Sequence, residues 1–119
     1  MESNYRIENK TLYITTEGIS SNLDDVKQFS HSMFELCLRN SCDKILADDR
    51  LQENNLSDFE LFELAEYQSH IMPAIIKMAI VTNKKQLEKI RLWESTGRNR
   101  GAKVKLFIDL ETADKWLNE

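Results

Sequence analysis

One apolar run in the middle of the chain constrains the fold more than any other feature. Residues 74–81 read Ala-Ile-Ile-Lys-Met-Ala-Ile-Val, and Lys77 is the only polar residue among them. A half-exposed strand alternates apolar and polar residues, whereas a run of this kind is typical of a strand buried on both faces. The run therefore predicts a central strand of a sheet that is covered on both sides.

The segments around this run alternate between strand and helix patterns. Tyr5–Glu8 and Leu12–Thr15 alternate with period two on either side of Asn9-Lys10, which predicts a hairpin. Apolar residues at helical spacing follow the caps at residues 20–22, and this helix should end near Asn40. Further helices are predicted over residues 58–69 and 84–95 and after Asp109, and further strands over residues 44–47 and 103–108.

The predicted order is β-β-α-β-α-β-α-β-α in one α/β domain of residues 1–119. Strands that alternate with helices run parallel and are joined by right-handed crossovers, so the sheet should be mostly parallel. The hairpin makes the first strand the antiparallel one, at an edge of the sheet. Gly97 is expected to end the third helix as its C-cap glycine, and Asp109 is expected to begin the last one as its N-cap.

Composition and charge exclude several classes of protein. Sixteen basic residues against 20 acidic ones give a formal charge of −4, which argues against a strongly basic nucleic-acid-binding protein. No apolar run approaches the ~20 residues of a transmembrane helix, and the N-terminus lacks the pattern of a signal peptide. Cys37 and Cys42 are expected to be reduced, structural residues of a cytoplasmic protein.

Several short pieces of sequence, taken together and in order, point to a known group of proteins. In these pieces the chain resembles the SpoIIAA-like group, which is related to the STAS domain (sulfate transporter and anti-sigma-factor antagonist). The resemblance covers nearly the whole chain. The pieces are Ile45–Arg50 after the first helix, Met78–Val81 in the next strand, Asn99–Gly101 before Val104–Phe107, and Ala113 with Trp116-Leu117 at the end.

The resemblance implies a STAS-like β-α superhelix that acts as a regulatory or protein-interaction module, with no cofactor and no catalysis. Anti-sigma antagonists of this group carry a phosphorylatable Ser in an Asp-Ser motif at the start of the helix after the middle strand. Residues 48–53 contain no Ser or Thr, so the chain departs from that pattern. Ser57 lies in the same region, but it is predicted to form a capping box with Glu60. Members of the wider group are also likened to lipid-binding CRAL-TRIO domains.

The second helix is the first candidate for an interaction surface. Its apolar residues cover more than one face, and exposed aromatic patches are candidates for contact with a partner or a lipid. We expect contact with another protein or a homodimer, or alternatively a small apolar or lipid ligand in a pocket under this helix, lined by Phe59, Phe62, Ile71 and Met72. A helix that is buried on several sides in a small fold would also have apolar residues on more than one face. The residues of this surface are Phe59, Phe62, Tyr67, Ile71 and Met72.

Charge is segregated along the chain. Residues 42–72 contain eight acidic and two basic residues, whereas residues 73–105 contain nine basic and two acidic ones. Such asymmetry marks either an interaction surface or two solvated faces. A basic patch would fit an acidic protein, an anionic lipid head or the acidic helix of a second copy. Nucleic acid is not expected, since no aromatic stacking platform lies beside it. The patch consists of Arg91, Arg98, Arg100 and Lys103.

Acidic residues at predicted strand ends are a further candidate site. Ligands of parallel sheets bind at the carboxyl ends of the strands, where Asp48, Asp49 and Asp109 are predicted to lie. Carboxylates clustered in this way resemble the Mg²⁺ pocket of response receivers. The receiver pattern also needs a Lys after the last strand, where Asp109 and Leu110 stand instead. These acids are therefore expected to cap helices or brace loops, and no metal or catalytic residue is predicted.

Overall fold

The computed structural model describes residues 1–119 and contains nine elements in the predicted order. The strands form one sheet in the order β1-β2-β3-β4-β5, in which β1 is antiparallel to β2 and the other neighbours are parallel. The elements are β1 (Glu2–Glu8), β2 (Thr11–Ser20), α1 (Leu23–Arg39), β3 (Lys44–Asn54), α2 (Asp58–Ile71), β4 (Lys77–Val81), α3 (Lys84–Asn99), β5 (Val104–Phe107) and α4 (Leu110–Leu117).

The hairpin between β1 and β2 turns through the two predicted residues. Asn9 and Lys10 have φ values of 50° and 64°, as a two-residue turn requires where its twist matches that of the strands. β1 is an edge strand, and every one of its residues is exposed. The hairpin therefore adds the one antiparallel strand at the edge of the sheet, as predicted.

Helices cover both faces of the parallel strands. One face packs against α1, α2 and α3 in a core that includes Ile45 and Met78, and the other packs against α4 in a core that includes Leu46 and Ala79. The polar residue in the apolar run, Lys77, reaches α4, where its Nζ donates a hydrogen bond to the Trp116 carbonyl oxygen and lies 4.3 Å from the ring centroid. This arrangement confirms a central strand buried on both faces for residues 77–81 of the apolar run. Residues 74–76 do not belong to the strand, since the chain turns there and Ile75 is 63% exposed. None of the four helices is long and apolar enough to cross a membrane.

Several boundaries differ from those predicted. β3 continues to Asn54 instead of ending at residue 47, since it goes on pairing with β2. α3 continues to Asn99, so Gly97 is not its C-cap. Gly97 lies inside the helix, where an added Cβ would stand 3.3 Å from Val104 Cγ2, and it thus permits close packing of α3 on β5. The positive φ after the helix, 87°, belongs to Gly101.

The two cysteines are free and buried, as predicted for structural thiols. They lie on either side of the C-terminus of α1, where the backbone N–H of Cys42 donates to the Cys37 carbonyl oxygen at 2.9 Å. Ser41 has the left-handed conformation between them, with φ at 57°. Burial, together with the adjacent Cys42 thiol, raises the pKa of Cys37 to about 12, so this sulfur stays protonated and unreactive at neutral pH.

Candidate functional site

A cavity of about 90 Å³ lies between the sheet and the three helices α1, α2 and α3. Eleven of its nineteen lining residues are apolar. It reaches the surface at the carboxyl ends of β2 and β3, where Gln52 and Asn54 are partly exposed. A mostly apolar cavity with a few polar groups is the usual form of a small-molecule site. The polar lining residues are Thr16, Ser30, Asp49, Gln52, Asn54, Gln68, Thr82 and Gln86.

A β-bulge in β3 shapes the polar end of the cavity. One residue of β2, Thr16, stands opposite two residues of β3, Asp49 and Arg50. The extra residue shifts the alternation of side chains along β3. Asp49 and Gln52 therefore both line the cavity, although in a regular strand two residues three positions apart point to opposite faces.

Asp49 is the only ionisable side chain that lines the cavity. Thr16 Oγ1 donates a hydrogen bond of 2.6 Å to Asp49 Oδ1, and no other donor of the protein reaches this carboxylate. Burial raises the pKa of Asp49 to about 6, with a further contribution from the negative charge of Asp48, while the Thr16 hydrogen bond acts in the opposite direction. Carboxyls perturbed in this way are concentrated at functional sites.

A buried hydrogen-bond network links the three helices that cover the cavity. Gln68 of α2 donates through Nε2 to Ser30 Oγ of α1, and Trp93 of α3 donates through Nε1 to Gln68 Oε1. Ser30 Oγ in turn donates to the Val26 carbonyl oxygen at 2.9 Å. Because a buried donor without an acceptor is costly, this network fixes the spacing of the helices and hence the shape of the cavity.

The three carboxylates predicted at strand ends do not come together. Asp48 and Asp49 lie within β3, and the alternation of the strand turns them to opposite faces. Asp48 accepts hydrogen bonds from Nε and a terminal nitrogen of Arg50, which lower its pKa. Asp109 is the N-cap of α4, as predicted, and accepts from the Thr112 backbone N–H at 2.8 Å. No group of His, Cys, Asp and Glu in the structure is arranged to hold a metal ion.

The predicted aromatic surface of α2 is only partly exposed. Phe59 is 69% exposed, but Phe62 and Tyr67 are half-buried beneath cationic side chains. The Arg100 guanidinium lies 5.3 Å from the Phe62 ring centroid, and Lys27 Nζ lies 5.4 Å from that of Tyr67.

Ile71 and Met72, at the end of α2, are also partly buried and pack against the core. The cavity does lie under α2, but Leu61, Leu64 and Gln68 line it from this helix, and Phe59, Phe62, Ile71 and Met72 lie outside it.

Two members of the predicted basic patch are paired within the chain. Arg91 contacts Glu88 at 3.0 Å on the same helix, and Arg100 contacts Glu66 of α2 at 2.6 Å. Arg98 and Lys103 are exposed and have no carboxylate within salt-bridge distance. The patch therefore adjoins the aromatic surface through Arg100, which contacts both Glu66 and Phe62.

Comparisons with known proteins identify the fold. No protein-family model matches the chain, and no curated protein is significantly similar to it. Among solved structures, the chain is similar to an anti-sigma factor antagonist from Mycobacterium paratuberculosis, with a TM-score of 0.69 over 99% of this chain and 94% of that one. The chain has the fold of an anti-sigma factor antagonist. The two sequences are 12% identical, so the likeness shows the shared fold alone.

This STAS-like fold is the one that the sequence resemblance implied. The mixed sheet with one antiparallel edge strand and four helices agrees with it. Ser57, which lies in the region where the sequence resemblance implied a phosphorylatable Ser, is the N-cap of α2. It accepts from the Glu60 backbone N–H at 3.1 Å, and the Glu60 side chain accepts in return from the Ser57 backbone N–H, which is the predicted capping box.

Thr16, Gln68 and Trp93 belong to the candidate site but were not predicted from the sequence. Gln68 could have been found from its position, since it lies seven residues after Leu61 and four after Leu64, on the face that α2 buries. A polar residue at such a position needs a buried partner. Nothing in the sequence indicated that Trp93 would be the partner of Gln68, because their hydrogen bond joins two different helices.

Proposed function

We propose that the chain is a non-enzymatic STAS-like regulatory module that acts by binding another protein or a second copy of itself. The observation that carries this proposal is the fold, which an anti-sigma factor antagonist shares over nearly its whole length. An anti-sigma factor is therefore the first class of protein partner to test. The proposal requires no cofactor and no phosphoserine.

The surface of α2 around Phe59 is the proposed contact. Phe59 is among the most exposed large apolar side chains of the chain, and half-buried Phe62 follows it on the same helix. Aromatic side chains are enriched among the residues that dominate binding energy at protein interfaces. Arg98 lies near the C-terminus of α3 and Lys103 in the loop that follows it, and both favour a partner with acidic groups.

Sedimentation equilibrium tests the homodimer form of the proposal. We expect wild-type protein to dimerise at micromolar concentration and Phe59→Asp to remain a monomer, because a buried charge would replace an aromatic contact. Leu51→Asp is the matched control, since Leu51 is 71% exposed but lies on β3, away from α2. Dimerisation that survives in Phe59→Asp, or is lost in both variants alike, contradicts a contact through α2.

If the wild-type protein is a monomer at all concentrations, the homodimer is excluded, and binding to another protein is the form of the proposal that remains. Titration of purified anti-sigma factors with wild type, Phe59→Asp and Leu51→Asp then tests binding to another protein. Phe59→Asp should lose binding that Leu51→Asp retains.

The proposed compartment is the cytoplasm. Two buried, unpaired cysteines support it, since such thiols are typical of a reducing environment.

A second candidate function is the binding of a small apolar ligand, and the cavity under α2 favours it. The cavity volume of about 90 Å³ suits a small molecule rather than a whole lipid. Native mass spectrometry of the protein purified from cells would show such a ligand as a mass adduct. An adduct that Leu61→Trp removes supports the cavity as its site, because the larger side chain would fill it. An adduct that persists in this folded variant places the ligand elsewhere.

A further inference from the structure

The cavity has mostly apolar walls and a single charged side chain, Asp49. Asp49 Oδ1 is held by the Thr16 hydroxyl, whereas no donor of the protein reaches Oδ2. The other polar side chains deep in the cavity satisfy one another, since Gln68 bridges Ser30 and Trp93. Asp49 is therefore the one lining side chain whose charge has no partner in the protein. Met1 also lines the cavity, and its N-terminal ammonium group makes no ion pair with Asp49.

The chemistry of Asp49 selects among ligands of suitable size. A carboxylate in an apolar setting regains stability when a cation donates a hydrogen bond to it, and such charge-assisted bonds are among the strongest in proteins. A carboxylate or phosphate ligand would instead be repelled by Asp49. A neutral apolar ligand would leave the charge uncompensated. Charge complementarity thus favours a cationic head group.

The lining residues and the volume of the cavity limit the size and polarity of the rest of the ligand. Most of the apolar lining residues carry aliphatic or thioether side chains, among them Met33, Leu64 and Ile80. An apolar cavity of about 150 Å³ binds benzene, so the about 90 Å³ found here, which opens to the surface at its polar end, limits the ligand to a short hydrocarbon chain. A primary ammonium with its three donors can reach Asp49 Oδ2 while its hydrocarbon chain lies between α1 and α2.

We infer that the cavity binds a small aliphatic primary amine, whose ammonium group pairs with Asp49 and whose chain packs among the apolar residues under α2. This inference rests on the second candidate function, that the cavity holds a ligand. It adds the chemical class of that ligand and the residue that recognises it. Thr16 is a positioning residue, because its hydroxyl fixes Oδ1 and leaves Oδ2 directed to the ligand.

The test is an NMR titration of the full chain with n-pentylamine and with 1-pentanol. The two probes have chains of equal length and differ in their head groups. We expect pentylamine to shift the amide resonances of cavity residues and to bind at least about tenfold more tightly than pentanol, the usual margin of a charged hydrogen bond over a neutral one. The same spectra report whether each variant is folded.

Two acid-to-amide variants locate the charge. Asp49→Asn should lower the affinity for pentylamine by about tenfold or more and leave that for pentanol within about twofold. Asp48→Asn is the matched control, since Asp48 lies next in the chain but faces the opposite side of the sheet and pairs with Arg50. It should leave both affinities unchanged.

The pH dependence of wild-type binding gives a readout that needs no variant. Asp48 is the charged group that acts on Asp49, and no other ionisable side chain lines the cavity. The N-terminal ammonium of Met1, which also lines the cavity, makes no ion pair with Asp49. An alkylamine remains protonated between pH 5 and pH 8, as lysine does. Protonation of Asp49 below about pH 6 should therefore weaken pentylamine binding and leave pentanol binding unaltered.

The outcomes separate the two proposals. If neither probe binds at the cavity, both the ligand-binding function and the amine inference are overturned. If both bind equally and Asp49→Asn changes neither, the cavity takes apolar ligands and the amine inference alone is wrong. Preference for pentylamine that is lost in Asp49→Asn and at low pH supports both. Preference that persists in Asp49→Asn assigns the ammonium to another group and overturns the role of Asp49.

Discussion

The substitution Asp49→Asn should stabilise the protein at pH 8 and leave its stability unchanged near pH 4. Asn retains the shape of the side chain and an oxygen that accepts from Thr16, but it carries no charge. The unfolded chain loses the Asp49 proton near pH 3.8, whereas the folded chain loses it at about 6. The folded state binds more protons between these values, so this residue makes the wild type less stable as the pH rises through that window.

The size of the effect follows from the same two values. The interval between 3.8 and about 6, at ~1.36 kcal/mol for each pH unit, corresponds to about 3 kcal/mol above pH 6. This is an upper value, because Asp49 is partly exposed at the mouth of the cavity. At the usual unfolding entropy per residue, 3 kcal/mol in a chain of 119 residues is a shift in Tm of about 12 °C.

Urea denaturation followed by tryptophan fluorescence measures this difference at pH 4 and at pH 8, with unchanged m-values as the check on two-state unfolding. Asp48→Asn is the control with the opposite sign. The hydrogen bonds from Arg50 lower the pKa of Asp48, so this carboxylate stabilises the fold above its unfolded pKa and the benefit is lost as pH falls. Its removal should cost about 0.5–1 kcal/mol at pH 8.

A raised pKa of Asp49 is refuted if the stability changes of Asp49→Asn and Asp48→Asn depend on pH in the same way. An equal effect of Asp49→Asn at pH 4 and pH 8 would mean that the carboxyl has its ordinary pKa in the folded protein. Destabilisation by Asp49→Asn at pH 8 that disappears as the pH falls would mean that this pKa is lowered instead of raised.

Two further substitutions test the packing around the cavity and the start of α2. Gln68→Leu should lower the free energy of unfolding by about 1–3 kcal/mol, because it leaves the buried Trp93 Nε1 without an acceptor, and Trp93→Phe in the same chain should recover part of this loss. Ser57→Ala should cost about 1 kcal/mol through loss of the capping box. Urea denaturation measures both, and a Gln68→Leu protein as stable as wild type would show that Trp93 finds another acceptor.

The order of elements was predictable because local patterns determine it. The hairpin about Asn9-Lys10, the capping box at Ser57 and the N-cap at Asp109 all depend on residues within four positions of one another. The length of β3 was not predictable in this way. Residues 48–54 have no apolar alternation, and they are a strand only because β2 pairs with them along their length.

The candidate site was predictable in part for the same reason. Asp49 was identified as a residue near the carboxyl end of a strand, but its separation from Asp48 depends on which face of β3 each one occupies, and its access to the cavity depends on the bulge opposite Thr16. The sequence predicts that Phe59 and Phe62 of α2 line the pocket, whereas Leu61, Leu64 and Gln68 line it in the structure. A helix that is apolar on several sides does not indicate which side is buried. In the structure, α2 is instead joined to α1 and α3 through Gln68. The position of Gln68 depends on its hydrogen bonds with Ser30 of α1 and Trp93 of α3, which are distant in sequence.

The residues around Asp49 depart from regular structure in several ways at once. A bulge interrupts the longest pair of strands, a carboxylate is placed in an apolar cavity, and only one hydroxyl compensates its charge. Each of these features costs stability, and an apolar residue at position 49 in an unbroken strand would avoid all of them. Natural sequences depart from such local consistency mainly at functional sites, where the departure serves binding or catalysis. The coincidence of the three at the mouth of one cavity therefore supports the proposal that a ligand meets Asp49.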